Sequence, residues 1–276
     1  MAVEIAPLSR RLFLADLGKG ALAVALFGLA ACSPRNDASA SPTAATPSPG
    51  PDGSPSPLPS PTASPAPSSA ASGETGGGNT PGGVAWTRVN LGFVSAYILV
   101  RDGEAAIVDT GVAGSEGAIG AAMTTLGLGG SDVGNVILTH RHPDHVGSLD
   151  GVLALAPDAT AWIGAADLAA VTASRPLSAV KDGDEVFGLA IVGTPGHTVG
   201  HISVYDTVGG ILVSGDALRT DTGSLAGSNP QFTEDAAAAR ASVIKLGGLM
   251  FETLLPGHGE PILTGASAQV KALAGG

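Results

Sequence analysis

Six histidines occur in the 276-residue chain, and their spacing is not that of scattered surface residues. Three fall in Thr139-His140-Arg141-His142-Pro143-Asp144-His145 and two in Thr194-Pro195-Gly196-His197-Thr198-Val199-Gly200-His201. The sixth is in Leu255-Pro256-Gly257-His258-Gly259-Glu260-Pro261. Imidazole nitrogen and carboxylate oxygen together suit Zn²⁺ and similar borderline cations. The apolar run 136–139 reads as a short buried strand that stops at His140. In an extended backbone residues i and i+2 face one side, so His140 and His142 can converge on one cation. Pro143 turns the chain, and Asp144 and His145 enter the next element displaced from that pair, placed for a second cation nearby. The single cysteine, Cys32, provides no disulfide framework and no cysteine-based zinc site.

The elements that must carry these residues alternate between strand and helix. Residues 96–101 and 105–108 read as strands around an Asp102-Gly103 turn. Residues 115–126 read as a helix ending at Gly127, followed by the strand 136–139, a helix over 145–156, a strand over 159–163 and a helix over 165–173. Asp182-Gly183-Asp184 reads as a turn. Strands follow at 190–194, 202–206 and 211–214, the last two joined at Gly209-Gly210. A helix is expected over 234–246 with Thr233 as its N-cap, then a strand over 253–255 and a last helix over 265–274. The pattern is that of an α/β (α+β) fold.

His-x-His-x-Asp-His after an apolar strand resembles the signature of the metallo-β-lactamase superfamily. The rest of that family's ordered pattern is matched by Asp109-Thr110-Gly111, Gly196-His197, Ser214-Gly215-Asp216 and Gly257-His258, so that the likeness runs from about Asn90 to Ile262. The resemblance implies a four-layer αββα sandwich. It also implies one metal on His140, His142 and His197, a second on Asp144, His145 and His258, and Asp216 bridging them. Two Zn²⁺ ions are expected, with iron or manganese as alternatives. Asp109 is expected to fix the histidine-rich loop by hydrogen bonds, and Asp144 to orient a hydroxide between the metals or shuttle its proton.

The activity so implied is hydrolysis of a small-molecule ester, lactone, thioester or lactam. Two alternatives stay open. One is a mononuclear iron enzyme of the persulfide dioxygenase kind, sharing His140, His197 and an Asp216-like ligand. The other is a non-catalytic surface binding protein on the same scaffold. Export away from cytosolic thiols counts against the first, and the intact ligand set against the second. Three residues after Asp216 stands Arg219, where the lactonase members carry Tyr. Arg219 and Asn229 receive no role, and His201 falls outside the ligand pattern as a packing or supporting residue.

Composition divides the chain. Residues 33–83 hold 12 of the 20 prolines, with Ser, Ala, Thr and Gly making up most of the rest. Such a segment cannot bury enough apolar surface to offset chain entropy and is expected to be a disordered tether spanning about 40 Å. Before it, Arg10 and Arg11 precede an apolar run at 20–31 that is too short to span a bilayer. The pair resembles a twin-arginine export signal, and Leu29-Ala30-Ala31-Cys32 resembles a bacterial lipobox. The expected organisation is therefore a signal peptide over 1–31, a lipidated Cys32 with its linker over 32–83, and a hydrolase domain over 84–276. That domain would stand on the outer face of the cell membrane, anchored by lipid at Cys32. From Val84 onward 9 Lys+Arg face 19 Asp+Glu, a balance of −10 without a basic cluster. Nucleic acid is not an expected partner, because phosphate binding needs concentrated positive charge. Oligomeric state is not legible.

Overall fold

The computed structural model describes residues 73–77 and 81–276. The expected signal peptide, Cys32 and most of the expected linker lie outside the described residues. The first sheet has seven strands in chain order: β1 (Gly73–Gly77), β2 (Ala85–Asn90), β3 (Ser95–Arg101), β4 (Glu104–Val108), β5 (Val133–Leu138), β6 (Thr160–Gly164) and β7 (Ser178–Val180). Pairing is antiparallel from β1 to β4 and parallel from β4 to β7. The second sheet contains β8 (Glu185–Val186), β9 (Leu189–Gly193), β10 (Ile202–Asp206) and β11 (Ile211–Gly215). After a small ribbon of β12 (Leu218–Arg219) and β13 (Ala226–Gly227), β14 (Thr253–Pro256) joins that sheet parallel to β11. The helices are α1 (Glu116–Thr125), α2 (Pro143–Val146), α3 (Leu149–Leu155), α4 (Ala236–Leu246) and α5 (Ala266–Gly275). Among the described residues no helix is long and apolar enough to cross a membrane.

Strand alternation explains the layers. Ala96 and Ile98 of β3, with Ile107 and Leu138, pack on Ile119 and Met123 of α1 and on Leu149, Val152 and Leu153 of α3. Tyr97 and Leu99 point the other way and, with Ile137, meet Ile191, Val204, Val213 and Leu255 of the second sheet. The far side of that sheet, through Leu212 and Leu254, packs on Val243 and Leu246 of α4 and Val270 of α5. The order is helices, sheet, sheet, helices, the expected αββα sandwich with its central core between the two sheets.

The structure departs from the sequence reading in its helices, its strands and one cap. The helix expected over 145–156 is broken into α2 and α3. Gly147 there lies so close to the loop after β4 that a Cβ would sit 2.5 Å from Ala113 N. Ser148 in turn donates to Val112 O at 2.6 Å and accepts from Ser115 N at 2.7 Å. The helix expected over 165–173 is only a 3₁₀ turn at Leu168–Ala170. Its start is held by Asp167, whose carboxylate accepts from Arg141 N and Gly200 N instead of leaving the segment free to coil. β2, β7 and the two-residue strands β8, β12 and β13 were not anticipated, and β1 lies upstream of Val84, where hydropathy opens the globular block. Finally, α4 is capped by Asp235, not Thr233. Asp235 Oδ1 accepts from Ala237 N and Ala238 N at 2.9 Å each, whereas Thr233 Oγ1 turns back to Asn229 O.

Asp235→Ala is therefore expected to lower the stability of the fold by about 1 kcal/mol, and Thr233→Ala by less. Urea denaturation of both variants checks this; a larger loss for Thr233→Ala would return the cap to Thr233.

Candidate metal centre

The histidine-rich loops leave the same end of the two sheets. β5 ends at Leu138 and delivers His140 and His142; β9 leads to His197, β11 to Asp216, and β14 to His258. His142 is the extended N-cap residue of α2, with φ −66 and ψ 146, and Pro143 opens the helix, so Asp144 and His145 fall in its first turn. His140, His145, His197 and Asp216 are buried; His142, Asp144 and His258 are partly open to a cavity of about 520 Å³.

Ligand atoms converge in three overlapping groups, each within 4.8 Å: His140, His142 and His197; Asp144, His145 and His258; and His140, His145 and Asp216. His142 Nδ1 lies 2.9 Å from His197 Nε2. Asp216 stands between the first two groups, with Oδ2 3.2 Å from His197 Nε2 and 3.2 Å from His258 Nε2, and Oδ1 3.2 Å from His145 Nε2. Asp144 Oδ2 is 3.3 Å from His258 Nε2. The structure thus gathers all seven residues expected as ligands at one place.

Contacts behind the ring fix which nitrogen faces inward. His145 Nδ1 is 2.8 Å from Asp109 Oδ2, and His258 Nδ1 donates to Phe93 O at 2.7 Å. His140 Nδ1 lies 3.1 Å from Thr139 Oγ1, which itself donates to Asp109. In each case Nε2 is left for the centre. His201 is different: its Nε2 accepts from Asp216 N at 3.0 Å and its Nδ1 meets Thr194 Oγ1 at 2.8 Å. With both nitrogens engaged it supports Asp216 and has no atom left for a ligand.

Asp109 adopts a left-handed backbone with φ 61, unusual for a non-glycine residue and a local strain that its partners must hold. Its Oδ1 accepts from Thr139 N at 2.8 Å. Thr110 N donates to His145 O at 2.7 Å, so the Asp109-Thr110-Gly111 loop grips the histidine-rich loop by both backbone and side chain. A second grip was not read from sequence. The Asp167 carboxylate is fully buried and accepts from Arg141 Nη1 (2.5 Å), Thr198 Oγ1 (2.6 Å) and Gly200 N (2.9 Å). It ties the His140 loop to the His197 loop. A third grip is on the last loop: Tyr97 Oη donates to Pro256 O at 2.7 Å, and Arg88 Nη2 to Gly259 O at 2.9 Å. In sequence Asp167, Tyr97 and Arg88 are a lone acid, aromatic and base, and only the fold assigns them.

Electrostatics and unmet hydrogen bonds indicate what the site is built to take. Burial alone would push the His145 imidazole down, but Asp216 and Asp109 outweigh it and hold it well above its ordinary value. Burial also disfavours the His258 cation, yet its contacts with Asp144 and Asp216 raise it to about 10. Desolvation drives His140 well below the ordinary value and His197 to about 4. Asp216 is held well below the carboxylate range, its desolvation overcome by the cationic imidazole of His145. Among the described residues, buried His140 Nε2, His145 Nε2 and Asp216 Oδ1 have no hydrogen-bond partner. The buried His197 Nδ1 also lacks one, which the metal centre does not explain. Unpaired inward donor atoms on a nitrogen and oxygen ligand set fit a divalent metal.

A family model described as the Metallo-beta-lactamase superfamily matches residues 89–258. The chain is 29% identical over 172 residues to the Probable metallo-hydrolase YflN of Bacillus subtilis, covering 46% of this chain and 64% of YflN. It is 33% identical over 126 residues to a Hydroxyacylglutathione hydrolase of Hahella chejuensis, covering 44% of this chain and 45% of the relative. The chain thus spans less than two thirds of the length of either curated relative. A solved structure of TTHA1623 in a di-iron-bound form superposes with a TM-score of 0.55 at 25% identity, covering 64% of this chain and 93% of that one.

A metal must displace any proton from the nitrogen it takes. At pH 7 His145 and His258, with their raised values, are protonated in the metal-free protein. Zinc titration by calorimetry in buffers of different ionisation enthalpy should show release of about two protons per chain, and His258→Gln should lose about one of them. Heats independent of the buffer would overturn this charge assignment.

Proposed function

Because the chain belongs to the metallo-beta-lactamase superfamily, we propose that it is a two-metal hydrolase of a small-molecule ester, lactone, thioester or lactam. The observation that carries this reading is the position of Asp216 between two complete sets of inward-facing donors on the floor of the 520 Å³ cavity. His140, His142 and His197 would hold one divalent ion, Asp144, His145 and His258 the other, and Asp216 would touch both. Zinc is the proposed metal. When bound, the ions would lower the pKa of a water toward about 7 and polarise the scissile group.

The chain's own groups do the rest. Asp109 and Phe93 O hold the Nδ1 protons of His145 and His258, so that both rings present Nε2 without reorganising. Asp144 Oδ2 borders the cavity, and its carboxyl is kept ionised at neutral pH. Burial, which would raise it, is overcome by the His258 contact. Asp144 is thereby able to hold the proton of the attacking water and return it to the leaving group. His201 and Thr194 keep the backbone at Asp216 from shifting. A mononuclear iron centre would leave the donors of Asp144, His145 and His258 unused, which favours the two-metal reading.

The address is a separate proposal, resting on Arg10, Arg11 and the lipobox-like Leu29-Ala30-Ala31-Cys32. Export through a twin-arginine signal and acylation of Cys32 would tether the domain to the outer membrane face.

His142→Ala and Asp216→Ala should each lower kcat/KM by about a hundredfold or more while circular dichroism keeps the fold's signature. Wild-type turnover in either variant would overturn the two-metal mechanism. In the full chain, Cys32→Ser should move the protein from the detergent to the aqueous phase on partitioning; unchanged partitioning would refute the lipid anchor.

A further inference from the structure

The cavity above the centre is larger than a scissile group needs and lies within the size range of small-molecule sites. Two phenylalanines line it. Phe93, in the loop between β2 and β3, is 62% exposed; Phe232, in the turn before α4, is 57% exposed. Large apolar side chains that open into one cavity leave surface that a ligand can cover. The Phe93 ring is held in place. Phe93 stacks on the His258 ring at 6.0 Å with planes 10° apart, and its carbonyl holds His258 Nδ1. Phe232 N donates to Asn229 O, closing the turn that carries it.

The charged groups of the same cavity are already matched. The Arg88 guanidinium is committed to Glu260, Glu74, Ser95 Oγ and Gly259 O. Arg219 pairs with Asp221 at 3.0 Å and donates to Gly227 O. Glu260 and Asp221 keep exposed carboxylates at the rim. A carboxylate on the substrate's far end would find each rim arginine already paired with a carboxylate, so an anionic arm gains no partner there.

Resting on the hydrolase reading, we infer that the substrate is an acyl compound whose arm beside the scissile bond is uncharged and apolar, an aliphatic chain or aryl group covering Phe93 and Phe232. An arm bearing carboxylates, as in a glutathione thioester or a β-lactam acid, is disfavoured.

The test measures binding apart from turnover. Zinc-loaded full chain is titrated by calorimetry with acetohydroxamate, octanohydroxamate and the equally long suberic acid monohydroxamate, which ends in a carboxylate. Octanohydroxamate should bind about tenfold or more tighter than acetohydroxamate, and the carboxylate end should remove most of that gain. Phe93→Ala and Phe232→Ala should each reduce the octano-to-aceto ratio by about threefold. Equal affinities, a ratio untouched by both variants, or tighter binding of the acid would overturn the inference. Hydrolysis of 4-nitrophenyl acetate and octanoate is followed in parallel. A binding gain with neither ester cleaved would keep the apolar arm and sink the hydrolase reading. Metal-dependent cleavage of both esters at equal kcat/KM, with no binding gain, would do the reverse.

Discussion

The rings of His140, His145 and His258 must be turned so that Nε2 faces the centre, and that constraint governs much of the structure. A buried polar atom left unpaired costs on the order of 1–3 kcal/mol, as at His140 Nε2, while His145 Nε2 and Asp216 Oδ1 beside it face each other only as an ion pair at 3.2 Å. The arrangement persists only because the opposite nitrogens of His140, His145 and His258 are held by Thr139, Asp109 and Phe93 O. A divalent ion would turn that cost into binding free energy. The excess negative charge of Asp109, Asp144 and Asp216 around two cationic imidazoles is the electrostatic counterpart of the same preparation.

The sandwich exists to bring those loops to one edge. Alternation along β3 sends Tyr97 into the core between the sheets, where its hydroxyl reaches Pro256 O across them. Ser95 N at the start of the same strand donates to Gly257 O at 2.9 Å. The loop carrying His258 is thus hydrogen-bonded on both sides, to Ser95 at the first sheet and to Gly215 at the end of β11. On the other side, Ile202 N donates to Thr139 O, so the strand after the His197 loop is pinned to the residue before His140.

Much of this was legible in the sequence because the signals were local. Asp102-Gly103 occurs with both residues at positive φ, and Gly127 ends α1 at φ 73, as turn and cap chemistry require. The ligand candidates could be picked out because histidine is scarce and its spacing follows strand ends. What could not be read was set by tertiary contact. The break between α2 and α3 falls where Val112 and Ala113 of the loop after β4 press on Gly147, which helix propensity does not encode. The choice of Asp235 over Thr233 as cap depends on Gly196 O accepting Asp235 N, a contact across nearly forty residues of chain. β1 has almost no side chains to announce it, and its pairing with β2 is backbone hydrogen bonding alongside the Trp86 ring.

Arg141 shows why position within a motif does not assign a role. It sits between two of the expected ligands, yet its side chain turns away from the centre to Asp167 and Glu234. A fully buried carboxylate needs more than one partner, since a lone ion pair would not offset its desolvation. Asp167 obtains four donors by drawing on Arg141, Thr198 and Gly200 at once. Those residues belong to the loops of His140 and His197, so satisfying one acid fixes the distance between two loops. The three-histidine group is therefore positioned from behind by a carboxylate that never faces it, and the Asp144, His145 and His258 group by Asp109 and Phe93 O. Asp109 also reaches the three-histidine group through Thr139 and His140, so the two groups share one support, and Asp216 between them receives its own backbone support from His201.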